Sequence, residues 1–71
     1  HIDAFAPGSK VLLVDDVLAT GGTLVAAIDL VRRAGGIVTD IAVLSEIQIL
    51  GGRERILAHS PDISIHALKS D

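Results

Sequence analysis

The residues between Val11 and Thr23 have the types and spacing best suited to chemistry in this sequence. An apolar run ends in the acidic pair Asp15 and Asp16, and a loop of small residues follows after two more apolar positions. The loop consists of Ala19, Thr20, Gly21, Gly22 and Thr23. Glycines allow a backbone to approach an anion closely. The helix predicted next would direct unpaired N–H groups and a partial positive charge at the loop, so the loop is predicted to bind a phosphate group.

The acidic pair needs a different ligand group, because carboxylates repel phosphate and accept hydrogen bonds from hydroxyls. A ligand with neighbouring hydroxyls a few bonds from a phosphate satisfies both parts of the segment, and ribose 5-phosphate is such a ligand. Taken alone, Asp15 and Asp16 are better explained as a solvated turn or a helix cap. The loop that follows them favours the binding interpretation. Since the loop contains no lysine or arginine, backbone dipoles are expected to supply most of the phosphate binding.

Alternating strands and helices are expected to position these residues. Short apolar runs predict strands at residues 10–14, 37–44 and 63–68, and apolar residues at helical spacing predict a helix between the loop and Gly35. A short helix is predicted from Gly51-Gly52 to about Ala58, with the two glycines interpreted as a turn. This β-α-β-α-β order indicates an α/β fold with right-handed crossovers, in which ligands bind at the carboxyl ends of the strands.

The predicted elements also bear on completeness. The first strand is nearly continuous in apolar residues, which suits burial on both faces of a parallel sheet. Three strands and two helices cover such a sheet incompletely, so further strands are expected upstream. The chain begins with His1 and contains no methionine, which favours a piece of a larger protein. At 71 residues and without cysteines, a core with no staple is marginal on its own.

Composition argues against several classes of function. The net charge is -3, the basic residues are scattered and only 1% of residues are aromatic, so binding to a nucleic-acid polymer is not expected. No apolar run is long enough to cross a bilayer, and no secretory signal is visible. His1, His59 and His66 lack the spacing of metal ligands. No metal site within the chain is therefore predicted.

The run from Val11 to Thr23 resembles the phosphoribosyl-diphosphate (PRPP) signature of type I phosphoribosyltransferases: four apolar residues, two acids, two apolar residues and a small-residue loop. The P-loop and dinucleotide-binding glycine patterns are both absent. The loop itself is similar to that of the adenine-specific branch. Two later segments are similar to that branch as well. They are the end of the second predicted strand, residues 43–46, and the segment Leu50-Gly51-Gly52-Arg53-Glu54. The resemblance implies that residues 1–71 are the C-terminal part of a single domain with a Rossmann-like parallel sheet.

The resemblance also implies roles for the site residues. Asp15 and Asp16 would bind the ribose 2′ and 3′ hydroxyls and favour positive charge at the ribose ring, while the loop from Ala19 to Thr23 would wrap the 5′-phosphate. The implied reaction is that of purine salvage, in which adenine displaces pyrophosphate from PRPP to give AMP. Mg²⁺ would be bound mainly through the PRPP diphosphate. The family is usually cytoplasmic and homodimeric.

Several elements of that family have no counterpart in this sequence. The base-covering region, the pyrophosphate loop and the mobile loop with its catalytic glutamate are missing, so no catalytic residue is assigned and the chain alone is expected to be inactive. Glu46 is given no site role, and Arg53 and Arg55 are interpreted as solvated or paired with Glu54 and neighbours.

Two other functions are weighed against the enzyme. A non-catalytic, PRPP-sensing regulator of the same fold would share the signature. A signalling receiver domain is less well supported, because the later strands end in Ser45-Glu46 and Lys69-Ser70 and supply no phosphoacceptor aspartate.

Overall fold

The predicted order of strands and helices is confirmed by the computed structural model, which describes residues 8–71. The elements are strand β1 (Lys10–Leu18), helix α1 (Gly22–Arg33), strand β2 (Ile37–Glu46), a 3₁₀ turn (Gln48–Leu50), helix α2 (Gly52–His59) and strand β3 (Ser64–Ser70). Each strand continues two or more residues beyond its predicted end. Asp15 and Asp16 therefore lie within β1, where the sequence had placed them at its end.

The three strands form one parallel sheet in the order β1-β2-β3. Their register aligns the carboxyl ends, because Leu18 lies opposite Glu46 and Glu46 lies opposite Ser70. Both crossovers run in the same direction, and right-handed crossovers of that kind place both helices on one face of the sheet. The ligand-binding edge and the start of α1 are thereby brought to the same end of the molecule.

The core lies between the sheet and the two helices. Leu24, Ile28 and Val31 are the buried residues at helical spacing on α1, and Ile56 is the fully buried side chain of α2. They pack in one cluster with Leu18 of β1, with Val38, Ile41 and Val43 of β2, and with Ile63 just before β3. Burial of this cluster is the main favourable contribution to the fold.

The other face of the sheet is open in the described part of the chain. Leu12 is 57% exposed, Val14 71%, Leu44 57% and Leu68 83%. The prediction that the first strand is buried on both faces is therefore wrong for residues 8–71, because its alternate residues have no covering layer there. The expectation that three strands and two helices cover the sheet incompletely is confirmed. Among the described residues, no helix is long and apolar enough to cross a membrane.

An ion pair ties the start of α2 to the sheet. Glu46, whose side chain is 5% exposed, accepts hydrogen bonds from Arg53 Nη2 at 2.8 Å and Arg53 Nε at 3.0 Å. Arg53 Nη1 also donates to the carbonyl oxygen of Ile65 on β3, at 3.2 Å. This two-pronged geometry is among the stronger kinds of side-chain pairing. One side chain of α2 thus joins the end of β2 to β3.

The pair predicts a pH-dependent contribution to stability. Hydrogen bonds from Arg53 hold the pKa of Glu46 below its ordinary 4.5, against the opposing effect of burial. A carboxyl group whose folded-state pKa is lowered stabilises the fold above its unfolded-state pKa and loses that contribution as the pH falls through the folded-state value. The free energy of unfolding of Glu46→Gln should therefore be well below that of the parent chain near neutral pH, with the gap narrowing below about pH 4.5.

Urea unfolding between about pH 6 and pH 3 measures that gap. Glu54→Gln, a change at an exposed acid of the first turn of α2, is the matched control and should show a smaller gap. A difference between Glu46→Gln and the parent chain that stays constant across the whole interval would contradict the assignment.

Candidate phosphate-binding site

The loop between β1 and α1 leads through a left-handed glycine into the start of the helix. Gly21 is the N-cap of α1 and has φ +85°, a left-handed conformation that glycine adopts without strain. Its carbonyl oxygen accepts the N–H of Val25 at 2.9 Å, which begins the helix. No side chain caps this end of α1, so Thr20 and Thr23 do not act as N-caps. The first N–H groups of the helix are left for a ligand.

A small pocket of about 80 Å³ lies at this loop. Its lining consists of Asp15, Val17, Leu18, Ala19, Thr20, Gly21, Gly22, Thr23 and Leu24. A cavity of that size has room for more than one water molecule, but it is well below the roughly 300–1,000 Å³ of a pocket that encloses a whole small-molecule ligand. The structure thus brings six of the seven predicted site residues together around one pocket.

Asp16 is the predicted site residue that does not line the pocket. It is exposed on β1, and its backbone N–H donates to Asp15 Oδ1 at 2.8 Å. Successive side chains of a strand point to opposite faces, which accounts for the separation of the two acids. Asp15 is therefore the acid directly beside the loop, and Asp16 lies at its margin.

The start of α2 packs directly against the loop. A Cβ atom at Gly21 would lie 2.8 Å from the carbonyl oxygen of Gly52, and a Cβ atom at Gly52 would overlap the carbonyl oxygen of Ala19. The same Cβ atom at Gly52 would lie 2.7 Å from Leu18 Cδ1. The sequence interpretation of Gly51-Gly52 as a turn is confirmed, since Gly51 is the N-cap of α2 with φ +71°. Its contact with the phosphate loop was missed, because no local pattern indicates it.

Two arginines of α2 have roles that the sequence interpretation did not anticipate. Arg53 pairs with Glu46, so the expectation that it is solvated or paired with Glu54 and its neighbours is wrong. Arg55 is exposed, but its Nη1 atom lies 3.4 Å from the point that a Cβ atom at Gly22 would occupy. A positive charge thus lies beside the first turn of α1. Neither role could be predicted from local sequence, because the partners of both arginines belong to other elements that α2 meets only in the folded structure.

The histidines of the described segment pair with acids elsewhere on the surface. His59 Nε2 lies 3.1 Å from Asp29 Oδ1, and His66 Nε2 lies 3.0 Å from Asp40 Oδ1. The hydrogen bond to His66 is the largest cause that lowers the pKa of Asp40. Within residues 8–71 no three acidic, histidine or cysteine side chains are grouped closely enough to hold a metal ion.

Comparison with known proteins agrees with this architecture. A family model described as uracil phosphoribosyltransferase matches residues 2–71. The adenine phosphoribosyltransferase of Thermobifida fusca is 56% identical over 68 residues, which is 96% of this chain and 36% of that protein. The chain thus spans about a third of the length of the curated relatives it matches.

Solved structures show the same similarity in three dimensions. The adenine phosphoribosyltransferase of Rhodothermus marinus matches with a TM-score of 0.86 and 49% identity, over 100% of this chain and 39% of that one. The Trypanosoma brucei enzyme, solved with AMP, pyrophosphate and ribose 5-phosphate, matches with a TM-score of 0.80 and 28% identity, over 93% of this chain and 30% of that one. With a parallel sheet, a small pocket at its carboxyl edge and a family match over nearly its whole length, this chain belongs to the phosphoribosyltransferase family.

Proposed function

We propose that this chain is the C-terminal, sugar-phosphate-binding part of an adenine phosphoribosyltransferase domain, which converts adenine and PRPP into AMP and pyrophosphate. The observation that carries the proposal is the pocket formed by Asp15 and the loop from Ala19 to Thr23 at the uncapped start of α1. The relatives support adenine as the base, and the ligands of the Trypanosoma brucei structure support the substrate class. By the same resemblance, the proposal places the protein in the cytoplasm as a homodimer.

The geometry suggests how the half-site would act. The 5′-phosphate would be bound by the backbone N–H groups of the loop, and the ribose hydroxyls would donate hydrogen bonds to Asp15 and Asp16. In the reaction a nitrogen of adenine bonds to C1 of the ribose while the bond from C1 to the pyrophosphate oxygen breaks, and adenine gives up a proton. Positive charge that develops on the ribose ring would be stabilised by the fixed carboxylates.

Magnesium enters the proposal as part of the substrate. Mg²⁺ is usually held by one or two carboxylates together with substrate phosphates, so it does not need a complete set of protein ligands. The diphosphate of PRPP offers the oxygen ligands that Mg²⁺ prefers. We therefore propose that Mg²⁺ arrives bound to PRPP, and that Asp15 and Asp16 act on the sugar and not as a metal cage.

The binding role of the acids predicts the first measurement. Calorimetric titration of PRPP with Mg²⁺ into the folded chain should show saturable binding, and the Asp15→Asn, Asp16→Asn double variant should bind at least about tenfold more weakly. The reason is that hydrogen bonds to charged groups contribute roughly 1.5–3 kcal/mol each. Asp62→Asn, a change at an exposed acid before β3, is the matched control. A chain shown by circular dichroism to be folded, yet unable to bind PRPP, would refute the site.

Arg55 predicts a smaller, salt-dependent effect. Its guanidinium beside Gly22 adds positive charge near the proposed phosphate, but an exposed charge is strongly screened by solvent and salt. Arg55→Ala should weaken the binding of ribose 5-phosphate several-fold at low salt, and the loss should shrink at about 1 M salt. Arg33→Ala, at the opposite end of α1, should leave the affinity unchanged. Equal effects of the two variants would show that only net charge matters.

A chimaera tests the enzymatic part of the proposal. Residues of this chain would replace the aligned 68-residue segment of the Thermobifida fusca enzyme, which supplies the parts that this chain lacks. The chimaera should form AMP from adenine and PRPP. Its Asp15→Asn, Asp16→Asn variant should lose about 10²-fold or more in kcat/KM, the scale of a lost transition-state charge interaction.

The outcomes of the chimaera assay separate the alternatives. This chain alone serves as the control and should form no AMP, because it has no assigned catalytic group. A folded chimaera that binds PRPP but makes no AMP would argue for the PRPP-sensing regulator. AMP formation unaffected by loss of both acids would contradict the role given to Asp15 and Asp16.

A further inference from the structure

The contact between α2 and the phosphate loop is not explained by phosphate binding itself. Gly52 is buried, whereas Gly51 and Arg53 on either side of it are half-buried and Glu54 and Arg55 are exposed. We infer that Gly52, fixed by the Glu46–Arg53 ion pair, is a positioning residue that sets the shape of the loop from Ala19 to Gly21. The inference rests on the proposed function, because it assigns the contact a role in binding the ribose phosphate.

The first step is that the two backbones touch without side chains between them. The backbone of Gly52 lies so close to Ala19 that a methyl group there would overlap the Ala19 carbonyl oxygen. From the other side, a Cβ atom at Gly21 would lie 2.8 Å from the Gly52 carbonyl oxygen and 3.2 Å from its Cα. Close-packed atoms transmit displacement directly. Any shift of Gly52 therefore moves the loop whose N–H groups face the pocket.

The second step is that the start of α2 is itself firmly held. Arg53, the residue after Gly52, joins Glu46 at the end of β2 to the Ile65 carbonyl of β3. The end of β2 is in turn bound to β1, because the N–H of Ile47 donates to the carbonyl oxygen of Leu18 at 2.9 Å. Gly52 is thus fixed relative to the carboxyl ends of β1 and β2 and to Ile65 near the start of β3, and through Gly52 the loop is fixed to the same three strands.

The third step is that the ion pair acts through position and not by touching the ligand. Two of the guanidinium nitrogens of Arg53 donate to Glu46 and the third donates to Ile65, so each of its three nitrogens is already hydrogen-bonded within the fold. Neither Glu46 nor Arg53 lines the pocket. Binding geometry is sensitive to displacements of about 1 Å. The pair should therefore affect affinity for the phosphate through the loop.

Two neighbouring glycines provide a matched test. Gly52→Ala places a methyl group against Ala19, while Gly51→Ala places one at ordinary contact distance, 3.9 Å, from Glu54 Oε1. Gly51 has φ +71°, so its substitution strains the backbone and should lower the unfolding midpoint. We expect Gly52→Ala to weaken the binding of ribose 5-phosphate about tenfold and to shift the amide resonances of Gly21 and Gly22. Gly51→Ala should do neither.

If Gly52→Ala does not fold, a second variant, Arg53→Lys, tests the positioning role. Arg53→Lys keeps the charge and a contact with Glu46, but an ammonium group cannot reproduce the planar fork to Glu46 and Ile65. It should weaken ribose 5-phosphate binding several-fold and shift the same two glycine amides, whereas Arg33→Lys should not.

The outcomes separate this inference from the function on which it rests. A parent chain that folds but does not bind ribose 5-phosphate overturns the proposed function. A parent chain that binds, together with a folded Gly52→Ala or Arg53→Lys variant of unchanged affinity and unchanged glycine amides, overturns the positioning role alone.

Discussion

The close approach of two glycine backbones, Gly21 and Gly52, is the constraint on which the candidate site depends. It allows the turn after β1 and the start of α2 to meet with no side chain between them. Because the parallel strands end at the same edge, the loop that leaves β1 and the helix that follows β2 are already neighbours. The pocket at the start of α1 is therefore a product of sheet register as much as of the loop sequence.

Electrostatics are arranged locally in a chain whose net charge is -3. An anionic ligand is disfavoured by the overall charge and favoured at the loop, where helix N–H groups and the nearby Arg55 contribute positive potential. Arg53 adds little to that potential because Glu46 neutralises it. The two arginines of α2 thus differ in their contacts. Arg53 joins β2 to β3, and Arg55 lies beside the candidate site.

Sequence reasoning predicted the element order and the position of the glycine loop before α1, because both are encoded locally. The spacing of apolar residues distinguishes a strand from a helix, and the small residues around Gly21 indicate the turn between them. It did not predict the partner of Arg53, since Glu46 and Ile65 belong to other elements, and it missed the contact of Gly52 for the same reason. It also placed Asp15 and Asp16 together, whereas strand alternation separates them. The prediction that β1 is buried on both faces was wrong, because no covering layer lies over Leu12 and Val14 in the described segment.

Whether a site is formed by local sequence or by tertiary contacts also affects which ligand group this chain would recognise on the proposed function. The strand, loop and helix that form the pocket are contiguous in sequence, so a chain about a third as long as its curated relatives still contains the whole pocket that we propose for the phosphate. On the proposed function, the base would be bound by parts of the domain that the longer relatives contain and this segment does not. That separation fits the comparisons, in which a model named for uracil and relatives named for adenine both match this segment. A sugar-phosphate half-site can serve either base, because the ribose phosphate presents the same hydroxyls and the same anion in both reactions.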